Sequence, residues 1–330
     1  MITRKDVAEY AGVSTGTVSN IINGKKSVDP KLVSKVNKAI NELGYIPNHN
    51  AKSLASKNSK HIGIAIYEYE NSYHWNIVRG IEEVAMKAGY LVSVFVLDNN
   101  SSFKLESICE RRLSALVNLM TNEYPKSFIE ILKNQKVKLI NFDTSLGPNF
   151  TLDYTDAIVE IFEKVIKDGR KNIGYIWTSD EQRFNIDTRG LAYRSEIKKH
   201  GLSSDNLIYY NLDNSKMSYD IGYEGCKELL SKNKDIDTVF CTNDLTAIGA
   251  VRALKDCGYR VPEDVYVVGC DDTFIAKDYV PSITSITFDQ KAQGMSMANV
   301  IINEWDPKYK EVIKPTAVFR ESTNYIKNKE

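Results

Sequence analysis

Covalent chemistry needs a nucleophile beside a base, or side chains at metal-ligand spacing, and the spacings in this 330-residue chain supply neither. Its four histidines, His49, His61, His74 and His200, share no ligand spacing with one another or with the cysteines. The five cysteines, Cys109, Cys226, Cys241, Cys257 and Cys270, form no CxxC pair, and most lie in or beside apolar patterns, where a thiol is a small buried hydrophobe. One GxSxG match occurs, Gly12-Val-Ser-Thr-Gly16, but no strand precedes it. Neither a GxGxxG nor a phosphate loop is present. These spacings predict no catalytic residue, no metal and no cofactor, which leaves binding.

Two sets of polar residues are placed to bind. The first lies where apolar strand patterns end: Asp143 closes VKLINFD, Asn243 and Asp244 follow VFCT, and Asp271 and Asp272 follow VYVVGC. Asp244 is expected to cap the helix that follows rather than to bind, and Asp272 to make a turn. The second set is the outward face of a short helix near the N-terminus, with Thr15, Gly16, Thr17, Ser19 and Asn20 outward and Val18, Ile21 and Ile22 inward. Short side chains with hydrogen-bonding groups suit a helix that must enter a major groove about 12 Å wide.

The elements around that face fit the same purpose. Thr3 and Asp6 have capping-box spacing ahead of a helix from Arg4 to Ala11, Gly12 ends it, and Ser14 caps the second helix. This is a helix-turn-helix, ending near Asn23. An ordinary helical hairpin would show similar hydroxyls, but the charge distribution argues against it. The chain carries 43 basic and 43 acidic residues, while its first 60 residues hold ten Lys and Arg against four Asp and Glu. A neutral protein with one strongly basic end is built to meet a polyanion there. Asp29-Pro30 starts a third helix, through Leu32, Val33, Val36, Ile40 and Leu43 to Gly44, closing a small headpiece. Beyond it, residues 49–55 can form only a short helix that needs a partner to be stable.

KDVAEYAGVS-x-x-TVSNIIN followed by GY-x-PN-x-x-A-K-SL, from Thr3 to Leu54, resembles the headpiece and hinge of the lactose/galactose-repressor family of bacterial transcription regulators. The resemblance implies that Thr15, Gly16 and Asn20 read the major groove and that Tyr45 and Asn48 contact the backbone. It further implies that Leu54 wedges into the central minor-groove step while Lys52 lies along that groove. Thr3, Ser14, Thr17, Ser19 and Asn23 complete the expected DNA-facing set. Gly16 departs from the usual side-chain-bearing residue and removes one direct contact.

From His61 onward, apolar strands alternate with amphipathic helices: Ile62 to Ile66, Ile77 to Ala88, Leu91 to Leu97, Leu113 to Met120 and Val137 to Phe142. A second set runs Ile173 to Trp177, Gly190 to Lys199, Leu207 to Tyr210, Tyr219 to Leu230, Thr238 to Cys241, Leu245 to Asp256 and Val265 to Gly269. GIEEVAMKAGY, ending at Tyr90, is echoed by GAVRALKDCGY, ending at Tyr259. The fold class is therefore α/β, a three-helix headpiece and hinge helix followed by two doubly wound parallel-sheet subdomains with a cleft between their strand ends. The resemblance covers this region too, notably Asn243 to Asp272, and implies likeness to periplasmic binding proteins, with crossings near Thr155, Phe288 and Val318. The expected boundaries are 1–46 for the headpiece, 47–60 for the hinge, and 61–330 for the rest. Within the last, subdomain 1 spans about 61–155 and 289–317, and subdomain 2 about 156–288 and 318–330.

For the cleft, the resemblance implies that Arg189 reaches an effector and that Tyr73 and His74 line the mouth, with Asp143, Asn243 and Asp271 completing the set. Carboxylates accept pairs of hydroxyls, so a carbohydrate effector is expected. The reading is a sequence-specific repressor of a sugar-utilisation operon, binding pseudopalindromic double-stranded operator DNA as a homodimer and controlled by a small molecule. A DNA-bound regulator answering to a partner protein, or a solute-binding protein with a basic arm, would share parts of this pattern. The apolar stripe Ile77, Ile81 and Val84 fits either a dimer surface or a core face, and the polar end from Tyr325 to Glu330 lacks tetramer-forming heptads. No apolar run reaches the roughly 18 residues of a membrane span and no signal peptide is seen, so a cytoplasmic location without membrane contact is expected.

Overall fold

The computed structural model describes residues 2–22, 28–45, 59–67, 69–97, 102–120, 124–141, 147–210 and 216–324. The chain divides into two compact units, Met1–Ser59 and Lys60–Glu330.

In the first unit the capping signals act as read. Thr3 accepts the Asp6 amide and Asp6 accepts the Thr3 amide at 2.7 Å, opening α1 (Arg4–Ala11). Gly12, at φ 66°, turns the chain, and the Ser14 hydroxyl accepts the Thr17 amide at 3.0 Å to start α2 (Thr15–Ile22). Asp29 and Pro30 open α3 (Pro30–Leu43), which Gly44 ends in the left-handed conformation. Val7, Ala8, Val18, Val36, Ala39 and Tyr45 form the core.

The second unit contains two lobes of the same design. Strands β1 (His61–Ile66), β2 (Leu91–Val96), β3 (Ala115–Asn118) and β4 (Lys138–Asn141) form a parallel sheet in the order β2-β1-β3-β4. After β5 (Asn149–Leu152), strands β6 (Ile173–Trp177), β7 (Leu207–Tyr209), β8 (Thr238–Cys241) and β9 (Tyr266–Val268) repeat that order as β7-β6-β8-β9. β1 and β6 are almost wholly apolar and buried, as central strands covered on both faces must be.

Helices α4 (Ser72–Lys87), α5 (Ser102–Glu110) and α6 (Lys126–Asn134) belong to the first lobe. The second lobe contains α7 (Thr155–Lys167), α8 (Glu181–Phe184), α9 (Thr188–Lys199), α10 (Ser218–Lys232), α11 (Asp244–Asp256) and α12 (Phe274–Asp278). The chain then returns through β10 (Ser285–Thr287) to α13 (Gln290–Ile302), which packs on α4. Strand β11 (Lys310–Ile313) pairs with β5, and β12 (Thr316–Val318) pairs antiparallel with β10. The last passage between lobes therefore lies between Ile313 and Thr316, ahead of the expected Val318.

Packing settles one reading that the sequence left open and corrects another. Ile77 and Ile81 are fully buried with Met297, Ala298 and Ile301 of α13, so that stripe is core and not an exposed dimer surface. The cap of α11 is Asn243, whose side chain accepts the Thr246 amide, while Asp244 is the first helical residue. The helix pairs cross very closely. A Cβ on Gly80 would come within 2.1 Å of the Lys291 carbonyl oxygen, and one on Gly294 within 2.1 Å of that of Ile77. The second lobe repeats this arrangement with Gly222, 2.0 Å from the Thr246 oxygen, and Gly249, 2.1 Å from that of Tyr219.

Candidate nucleic-acid interface and effector cleft

On α2, Thr15 and Gly16 are exposed and Thr17, Ser19 and Asn20 half-buried, while Val18 anchors the helix from behind. The Ser14 hydroxyl is engaged in the cap and also meets the Thr17 hydroxyl at 2.9 Å. Both residues thus shape the helix start, while Thr15, Ser19 and Asn20 are further polar side chains of this helix. Thr3 is exposed within its capping box. Tyr45, expected at the DNA backbone, is a 7% exposed residue that packs in the headpiece core. Asn23, Asn48, Lys52 and Leu54 lie outside the described residues, as does Asp143, which was expected in the cleft.

Arg189 is the second residue of α9, and Asp187 caps that helix. The Asp187 carboxylate accepts the Arg189 backbone amide and Nε at 2.9 Å through Oδ1, and Nη2 at 2.9 Å through Oδ2, while Nη1 donates to the Thr242 carbonyl at 3.1 Å. Rings of Tyr154 and Trp177 stand on the guanidinium, each with its centroid 4.9 Å away. Burial pushes the Asp187 carboxyl upward, but the guanidinium outweighs it and holds the group below the usual carboxylate range.

Asp271 follows β9 at φ 101°, a left-handed conformation rare for a residue with a Cβ. Hydrogen bonds from several elements help to hold it there. Its amide donates to the Ile286 carbonyl at 2.9 Å, its carbonyl accepts Gln290 Nε2 at 2.5 Å, and its Oδ2 accepts Asn71 Nδ2 at 3.2 Å. Gln290 also accepts Asn76 Nδ2 at 2.8 Å, so side chains of the first lobe reach Asp271 along two routes. Asn71 caps α4 by accepting the Tyr73 amide. Tyr73 stands edge-on to Phe288, and its hydroxyl is pushed well above its ordinary pKa by burial and then by Asp271. His74 is 7% exposed; burial pushes its imidazole down to about 4.

The predicted residues Tyr73, Arg189 and Asp271 therefore converge, with His74 beside Tyr73. Asn243 is instead engaged as a cap and donates to the Ser218 hydroxyl at 3.2 Å. Spacing alone did not reveal Asn71, Tyr154, Trp177, Asp187 or Gln290. Asp187, two residues before Arg189, is the one with a local signal, since an aspartate there caps the helix that carries the arginine. Among the described residues, no group of three His, Cys, Asp or Glu side chains could hold a metal, and no helix is long and apolar enough to cross a membrane.

A small helix-turn-helix headpiece joined to two crossed α/β lobes with a polar cleft defines a DNA-binding regulator built on a binding-protein fold. Residues 3–48 match the model of bacterial regulatory proteins of the lacI family, and residues 162–323 that of the periplasmic binding protein-like domain. The chain is 31% identical to the transcriptional regulator RegA of Clostridium saccharobutylicum, over 97% of this chain and 98% of that protein. It is 28% identical to catabolite control protein A of Priestia megaterium, over 98% and 99% of the two chains. Among solved structures, the lac repressor dimer bound to operator and the anti-inducer ONPF superimposes with a TM-score of 0.80 at 25% identity, covering 98% of this chain and 99% of that one. The chain belongs to the lacI family of bacterial regulatory proteins, and is a transcriptional regulator, not an enzyme.

Proposed function

We propose that this regulator is a cytoplasmic repressor of a carbohydrate-utilisation operon. It binds a pseudopalindromic operator as a homodimer, one headpiece per half-site, and a small molecule held between its lobes changes that affinity. The observation that carries this reading is the meeting of side chains from both lobes at one place, Asn71 and Tyr73 from one with Asp271 and Arg189 from the other. A ligand with contacts on both lobes prefers one relative orientation of them, and differential affinity is what shifts a two-state equilibrium. The similar lac repressor dimer, bound to both operator and the anti-inducer ONPF, supports control by a small molecule. The segment 47–60 would carry the change to the headpiece, and Thr15, Asn20, Asn48, Lys52 and Leu54 would be the DNA contacts.

Thermal melting of the full chain against a panel of sugars and nucleosides tests this. A ligand at 100 times its Kd should stabilise the folded state by about 2.7 kcal/mol. The same ligand should then alter operator binding in a gel-shift assay, and operator should alter its affinity by an equal factor. A stabilising ligand without any effect on operator binding would refute the regulatory role of the cleft.

A further inference from the structure

Among the described residues of the cleft, Arg189 is the buried cation, and its charge is already matched. Two parallel bonds at 2.9 Å join it to Asp187, both side chains are about 15% exposed, at 14% and 16%, and a third N–H is taken by the Thr242 carbonyl. Arg183 adds a weaker field to the same carboxylate. The nearby histidine supplies no second cation, because burial keeps the His74 imidazole neutral at ordinary pH. Asp271 adds a further carboxylate. A phosphate or carboxylate entering here would lose its hydration without gaining an unmatched positive partner, and such burial is among the costliest exchanges in proteins.

The cleft does provide for uncharged polar groups. Two of the five guanidinium N–H groups remain after the three bonds above. Trp177 Nε1 and His74 Nδ1 are buried without a hydrogen-bond partner. Orphaned polar atoms of this kind are uncommon unless a ligand or solvent completes them. Tyr73 and Phe288, edge to face with centroids 6.0 Å apart, add apolar ring surface beside these groups.

Resting on the reading of this cleft as the effector site, we infer that its ligand is an uncharged, hydroxyl-bearing molecule and that the phosphorylated form of the same molecule is excluded. The full-length protein is melted with compounds differing by one phosphate, such as glucose and glucose 6-phosphate, cellobiose and its 6-phosphate, and adenosine and its 5′-monophosphate, and with inorganic phosphate alone. At least one uncharged member should stabilise it, with affinity tenfold or more above that of its phosphorylated partner. Asp187→Asn, which leaves the guanidinium charge unmatched, should create a response to inorganic phosphate that the native protein lacks. Preference for a phosphorylated member, or a native response to inorganic phosphate removed by Arg189→Ala, would overturn the inference while leaving the effector reading intact. Silence toward the whole panel together with silence of Asp187→Asn toward phosphate would overturn both. The paired measurement on native protein stands even if Asp187→Asn fails to fold.

Discussion

At the scale of single residues, the cleft is a set of charges that depend on one another. Replacing Arg189 by alanine leaves the Asp187 carboxylate buried without its partner, so it should cost about 3–5 kcal/mol of stability by denaturant melting, more than truncating an exposed arginine. A joint Arg189→Leu, Asp187→Leu replacement should cost less than the single change, because it leaves no orphaned charge. His74 and Asp244 act in opposite directions with pH. The His74 pKa falls from 6.5 to about 4, so its contribution is present above pH 6.5 and is lost as pH falls through 4, roughly 3 kcal/mol in all. Burial raises Asp244 from 3.8 to about 7, although Ser285 and Thr273 donate to it, so its contribution is present below pH 3.8 and is lost as pH rises through 7. Wild-type stability should therefore vary little between pH 7 and 5, whereas Asp244→Asn should be visibly acid-sensitive and His74→Phe should gain stability on acidification. Parallel curves for all three proteins would show that these two groups do not set the profile.

At the scale of elements, what the sequence discloses depends on how far away the partners lie. The headpiece signals are local, with Thr3 and Asp6 three residues apart and Ser14 three from Thr17, so helix ends could be read directly. Asp244 was read as a cap because caps are local. Its true partners, Thr273 and Ser285, lie 29 and 41 residues onward, and Asn71 meets Asp271 across 200 residues. No spacing rule reaches so far. The stripe on α4 stayed ambiguous because α13, its cover, shows little contrast between polar and apolar faces; Gln290 and Gln293 are buried alongside Met297 and Ile301. On α2, Asn20→Ala should cost roughly 1–3 kcal/mol of discrimination at one base pair per half-site. Gel-shift titration against single-base operator variants measures this, and an equal loss on every sequence would assign Asn20 a backbone role.

At the scale of the molecule, the echo between GIEEVAMKAGY and GAVRALKDCGY extends below the surface. Gly80 and Gly249, the first residues of the two stretches, each sit at a close helix crossing and face a helix that brings its own glycine, Gly294 or Gly222. Alanine at any of the four must push backbone against backbone, so each change should destabilise by about 1–3 kcal/mol, and Gly80→Ala with Gly294→Ala should depart from additivity. Guanidinium melts of the single and double variants would show it; additive costs would mean that the two sites relax independently. Helices in such contact cannot slide to absorb a disturbance, much as two gears in mesh cannot turn separately. On the function proposed above, each lobe would then act as a stiff lever, and work done by a ligand between them would pass chiefly into the chain segments that join the levers. A regulator benefits from that economy of motion, because a displacement of the lobes is delivered at their ends instead of being lost in their cores.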